Sequence, residues 1–279
     1  MNSNRNIVLC ADDYGLSRGV DAAVLDLVDR GRLSAVSCMV AGRSLKETAG
    51  DLAALADRTE IGLHLTLTDL PPLGPMPGLL ARGRPDIGGL IRRSHARALQ
   101  YPEIEAEVRR QIAGFEEIFG RSPDFVDGHQ HVHVLPVIRR ALLDQVRTGR
   151  LPATTWLRSC AEPLREIRRR GIEVAKAGFI AVLSRGLAEG AVRAGARAND
   201  SFRGVTNFRP DPSVRAAFKA FLTGPGERPV VMCHPGRAGW DWDPTDLIPD
   251  ARQREYAYLA SDAFPEDLAE AGARLGRMA

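Results

Sequence analysis

Short apolar runs rich in β-branched residues alternate along this chain with longer segments of helical period, and that alternation constrains its fold most. Strand-like runs fall at residues 6–11, 34–40, 60–67, 124–127, 154–158 and 229–233. Helical periods fall between and after them, at residues 20–30, 45–56, 104–119, 136–148, 163–170, 180–194 and 213–222. Strand followed by helix, many times over, predicts parallel strands joined by right-handed crossovers, an α/β fold of the β/α-barrel kind. A chain of 279 residues is enough for one such barrel, so residues 1–279 are read as a single domain. Two segments interrupt the rhythm. Residues 71–85, rich in proline and glycine, predict a loop over one end of the sheet. Residues 236–249, with Trp240 and Trp242, predict a second excursion.

Composition narrows the class of function. The formal net charge is +3, too small to predict a nucleic-acid partner. The arginines of residues 165–170 lie on a helical pattern, where they read as a solvated face. The amino terminus lacks the basic-then-apolar layout of a secretory leader, and no apolar run approaches the roughly 20 residues that cross a membrane. The four cysteines show no CxxC spacing and sit in apolar stretches, as buried thiols of a reducing compartment do. The expected location is therefore cytoplasmic, with no integral membrane segment. Oligomeric state is not encoded legibly, which leaves a homodimer open.

The chemistry-bearing residues sit where the apolar runs end. Asp12 and Asp13 follow the first run directly. Adjacent carboxylates repel unless a cation or a shared proton relieves them, and Gly15 permits the turn that follows. Asp-Asp alone is as often a turn feature as a site. His64 lies within the run Gly62-Leu63-His64-Leu65, where a single histidine is more often a core residue than a ligand. The balance shifts at Asp127-Gly128-His129-Gln130-His131-Val132-His133, because half of the six histidines fall within five residues. Such crowding points to metal binding by imidazole. Read as an extended segment, its alternate residues share a face, so one histidine binds while its neighbours support the ligand or meet substrate. His234 ends the run 229–233, just before Pro235-Gly236. In a parallel barrel, Asp12, Asp13, His64, His129 and His234 would all gather at the carboxyl ends of strands, where such barrels build their sites. One carboxylate and two histidines leave a divalent ion with open positions, and the other carboxylate and histidine are free to move protons.

In these residues the sequence resembles the YdjC-like carbohydrate deacetylases. The likeness rests on Ala11-Asp12-Asp13-Tyr14-Gly15-Leu16-Ser17, the His64 run, the Asp127–His133 cluster followed by Pro136, and the late His234-Pro235-Gly236, in that order. It extends from about residue 7 to about residue 264. It implies an incomplete, distorted β/α barrel with parallel strands, related to the polysaccharide deacetylases. It also implies that Asp13, His64 and His129 hold a divalent metal, with Asp12 as base and His234 as acid. Arg158 resembles a family arginine near the site, and Asp200-Ser201-Phe202-Arg203-Gly204 resembles a loop that faces substrate. With His131 and Trp240, these give Arg158, His131, Asp200, Phe202 and Trp240 as expected substrate contacts. Many members carry Phe and Ser where this chain has Tyr14 and Gly128.

The implied reaction is hydrolytic removal of an acetyl group from an N-acetylated amino sugar, chitooligosaccharide-like or lipid-linked. The resemblance names magnesium, whereas two imidazoles suit zinc, cobalt or iron better. A phosphoesterase or other amidohydrolase on the same barrel is the alternative enzyme. A carbohydrate-binding or regulatory protein that keeps the metal only for structure is the alternative outside catalysis, but it would have no use for a spare base and acid.

Overall fold

The first apolar run folds as β1 (Arg5–Tyr14), buried continuously from Ile7 onward. A strand enclosed on both faces is the mark of a parallel sheet covered by helices. The others are β2 (Ala35–Cys38), β3 (Glu60–Leu65), β4 (Phe125–Gly128), β5 (Trp156–Leu157), β6 (Arg197–Ala198), β7 (Ser201–Arg203), β8 (Pro229–Cys233) and β9 (Ala273–Leu275). Their spatial order is β6-β5-β4-β3-β2-β1-β8-β7, with β9 added to β1, and every pairing is parallel. The computed structural model describes residues 5–224, 226–240, 243 and 246–278.

The two edge strands, β6 and β7, do not pair with each other, yet only Asn199 and Asp200 separate them in the chain. The sheet therefore curls until its edges nearly meet, without closing: an incomplete barrel. The Asn199 amide stands in for the missing ladder. It accepts from the Ser159 amide at 2.6 Å and donates to the carbonyls of Ser159 and Ser201, both at 2.8 Å.

Helices cover the outside of the curl. Arg18–Asp29 starts at Ser17, whose side chain accepts from the Val20 amide, and lays Val20, Val24, Leu27 and Val28 on the sheet. Tyr101–Phe119 does the same with Ile104, Val108, Ile112 and Phe115. The segment expected as one helix over 180–194 is two, Val174–Leu183 and Leu187–Ala194. Gly186, at φ 82°, takes the left-handed conformation that breaks it. The expected loop 71–85 contains one short helix, Pro77–Leu80. Among the described residues, no helix is long and apolar enough to cross a membrane.

One unexpected helix matters for the site. Pro249–Ala260 buries Arg252 and Glu255 along with Ala251, Tyr258 and Leu259. Two charged residues on the inward face erase the apolar stripe by which a helix is read from sequence.

Candidate metal centre

β1 does not end as a regular strand. Asp13 adopts φ 68°, and the pairing with β2 shifts register between Ala11 and Tyr14. A straight strand would send Asp12 and Asp13 to opposite faces; the left-handed step at Asp13 lets both enter the site. The turn expected at Gly15 thus begins two residues earlier. Gly15, at φ 93°, completes it where a Cβ would lie 2.8 Å from that of Leu45.

Asp13, from β1, meets His64 from β3 and His129 from the end of β4. Asp13 Oδ1 lies 3.3 Å from His64 Nε2 and 3.0 Å from His129 Nδ1, and one ligand atom from each of the three falls within 4.8 Å of the others. Each imidazole is held from behind by a carboxylate. His64 Nδ1 is 2.7 Å from Asp127 Oδ1, with the Ser37 hydroxyl 3.0 Å away, and His129 Nε2 is 2.8 Å from Asp69 Oδ2. A carboxylate behind each ring fixes which nitrogen offers a lone pair, as at metal-binding histidines. Gln130 Nε2 braces the same Asp69 oxygen at 2.9 Å. His64 is buried, while the His129 side chain keeps 15% of its surface, so the centre opens on the His129 side.

The charge balance also asks for a cation. Among the described residues, Asp12, Asp13, Asp127 and Asp246 have side chains 0–3% exposed and face two buried guanidiniums, Arg158 and Arg252. With the imidazoles counted as neutral, formal charge is short by two. With no ion, burial would strip the proton from His64, but Asp127 and Asp12 hold its pKa up to about 10. Asp13 stays well below the carboxylate range: burial opposes this, and Arg252 and His129 outweigh it. The donors present therefore fit a divalent ion.

The histidine cluster is not extended as expected. After β4 the chain enters a 3-10 turn over His129–Val134, with Gln130 at φ 51° and His131 at φ 61°. The turn splits the three histidines rather than placing them on one face. His129 goes to Asp13. His131 swings toward Cys160, with Nδ1 3.6 Å from Sγ, and meets Phe202 edge-on at 5.4 Å between ring centres. His133 is fully buried and donates from Nε2 to the Arg158 carbonyl at 2.8 Å. Burial pushes the pKa of His131 well down and that of His133 down to about 4.

Asp12 stands beside this group with another partner. Arg158, just past β5, donates from both terminal nitrogens to its two oxygens, at 2.7 Å each, and also pairs with Asp127. Burial would raise Asp12, but Arg158 holds it below the usual range. Arg158 is 0% exposed, so it faces Asp12 rather than open space where a sugar could sit. Cys10, Asp12 and Asp127 also lie close together, but the Arg158 guanidinium already supplies that group's cation.

His234 leaves β8 with its amide donating to Glu255 Oε2 at 2.6 Å and its ring edge-on to Phe208 at 5.2 Å. Its Nδ1 is buried with no hydrogen-bond partner among the described residues. Burial pulls its pKa down to about 4, and its charged neighbours include Asp13, Asp12 and Arg252.

The remaining expectations divide. Phe202 is 3% exposed and packs in the core. Asp200 precedes β7 and accepts from the amides of Glu227 and Arg228, at 2.8 and 3.0 Å, just before β8. That is the amino-terminal end of the strands, opposite the centre, because parallel neighbours start together. Trp240 is 46% exposed; Trp242 lies outside the described residues. Sequence reasoning missed Asp69, Asp246, Arg252 and Glu255. Asp127 was visible within the histidine cluster but was not assigned a role.

Comparison with known proteins adds four matches. The family described as YdjC-like protein matches residues 6–270. A chitooligosaccharide deacetylase of Serratia marcescens is 38% identical over 132 residues, 47% of this chain and 52% of that protein. A carbohydrate deacetylase of Mus musculus is 36% identical over 169 residues, 56% of this chain and 53% of that protein. The chain thus spans about half the length of these curated relatives. A crystal structure from Enterococcus faecalis, provisionally named a cellobiose-phosphate cleavage protein, superimposes with a TM-score of 0.71 at 21% identity, over 99% of this chain and 98% of that one. It shares the fold.

Proposed function

The chain belongs to the YdjC-like family, and from that premise we propose that it is a divalent-metal hydrolase that removes the acetyl group from an N-acetylated amino sugar. One observation carries the reading: beside the Asp13–His64–His129 group stand a second buried carboxylate, Asp12, and His234, whose buried Nδ1 has no hydrogen-bond partner among the described residues. A metal held only for structure has no need of either. The names of the relatives, chitooligosaccharide and carbohydrate deacetylase, supply the substrate class.

Asp13, His64 and His129 would hold the ion. Bound there, it would acidify water and polarise the acetyl carbonyl. Two imidazoles and one carboxylate favour zinc, cobalt or iron over magnesium.

Asp12 is the base. Arg158 keeps it ionised and fixes both of its oxygens, so it waits in one orientation. A carboxylate so strongly ionised is a weak base and takes a proton only from water that has itself become acidic. His133, donating to the Arg158 carbonyl, holds the arginine's backbone. Arg158 is thus a positioning residue, and not the substrate contact that the sequence suggested.

His234 enters the reaction neutral, since burial holds its pKa at about 4. It can act as acid only once negative charge has built on the substrate and the proton that Asp12 took from water has passed to the ring, which then hands it to the leaving nitrogen. Its position after β8, near Asp12 and Asp13 yet bound to neither, leaves Nδ1 available for the departing amine. His131 and Trp240 remain the proposed sugar contacts. Four buried, unpaired thiols support a reducing compartment.

The test is acetate release from N-acetylglucosamine oligomers, with and without a chelator, run beside generic phosphate esters. Chelator-sensitive acetate release supports the reading. Turnover of phosphate esters alone would replace it with the phosphoesterase alternative.

A further inference from the structure

Asp13 has two oxygens, and the structure treats them differently. Oδ1 faces His64 and His129 at 3.3 and 3.0 Å. Oδ2 accepts from Arg252 Nη2 at 2.7 Å. Arg252 is 2% exposed, and its Nε is held in turn by Asp246 Oδ2 at 2.8 Å. A buried guanidinium between two carboxylates cannot rotate away without leaving charges unpaired, at high cost.

We propose that Arg252 is a positioning residue that restricts Asp13 to a single oxygen in the metal site. Taken up by the arginine, Oδ2 is withheld from the ion, which keeps a position open for water and substrate. The proposal rests on the metal reading above. The helix Pro249–Ala260 extends the same control to His234: Glu255, one turn after Arg252, accepts from the His234 amide at 2.6 Å, and the Arg252 carbonyl accepts from Gly236 at 3.1 Å. One helix thus sets the relation between the ligand on β1 and the histidine after β8.

The bland alternative is a cross-brace that ties this helix to β1 and has no bearing on the ion. The two separate on metal-stripped full-length protein titrated with Co²⁺, with affinity and visible absorption both recorded. Arg252→Met should weaken binding roughly 10–100-fold, the usual cost of losing a partner that orients a ligand. Its cobalt band should also change, because Asp13 is freed to offer Oδ2. Arg252→Lys, which keeps a cationic donor, should recover most of the wild-type spectrum. Should Arg252→Met not fold, Asp246→Asn loosens the same guanidinium without removing it, and should shift band and affinity in the same direction by less. Wild-type affinity and spectrum in Arg252→Met, with only a lower melting temperature, would overturn the proposal and leave the brace. Absence of cobalt uptake by the wild type would instead overturn the metal reading, and this inference with it.

Discussion

Arg158 and Asp12 form a two-pronged ion pair, both contacts 2.7 Å, with the arginine wholly out of solvent. Breaking such a pair from one side strands a buried charge, which typically costs about 3–5 kcal/mol, whereas removing both partners costs far less. Arg158→Met should therefore lower stability by about that much, and Arg158→Met with Asp12→Asn should regain part of it. Urea denaturation of the two single variants and the double variant measures the coupling. Additive losses would contradict the pairing.

The fold's repeating part was legible because it is periodic. β1, β3 and β8 announce themselves as apolar runs, and the helices Arg18–Asp29 and Tyr101–Phe119 carry clean apolar stripes. β6 and β7, at two and three residues, are too short to show a period. The Asp13–His64–His129 group was legible because histidines are scarce and these two lie within or directly after a strand. Arg252, Asp246 and Asp69 were not, since a lone arginine or aspartate in a polar segment looks like any solvated one. Only the fold brings Arg252 to Asp13, from 239 positions away. The histidine cluster misled through its alternation: Gln130 and His131 take left-handed backbone, which sequence period cannot reveal.

Acidification should destabilise the metal-free protein. Burial holds His133 and His234 near 4 and His131 well below its ordinary value, while the unfolded chain binds their protons near 6.5. Stability is present above about 6.5 and is lost as pH falls toward 4. Glu255, which burial raises to about 7, works the other way: its contribution is present below its unfolded value and is lost as pH rises through 7. His64, held up to about 10, and His129, also raised, favour the folded state until the unfolded chain takes up their protons near 6.5. The net loss therefore falls below about pH 6, where three histidines outweigh one glutamate. The steepest loss should approach roughly 2–3 kcal/mol per pH unit, two protons' worth. Urea midpoints at pH 7, 6, 5 and 4.5 check the sign. A flat or rising stability between pH 6 and 4.5 would show that these three histidines are not held neutral.

Trp240, 46% exposed in the segment that follows His234, has the flat apolar face that a sugar ring stacks on. If it is a platform, Trp240→Ala should raise KM for an oligosaccharide several-fold, with kcat and melting temperature almost unchanged. Activity and thermal stability falling together would make it a packing residue.

The central claim is a division of labour between neighbours: Asp13 holds the ion and Asp12 moves the proton. Side-by-side metal content and acetate release for Asp12→Asn and Asp13→Asn test it most directly, since each change keeps the shape and removes the charge. Asp12→Asn should keep about one ion per chain and lose on the order of 10²–10⁴ in kcat, the usual worth of a positioned base. Asp13→Asn should lose ion and turnover together. Loss of the ion by Asp12→Asn, with retention by Asp13→Asn, would contradict the account and exchange the two roles.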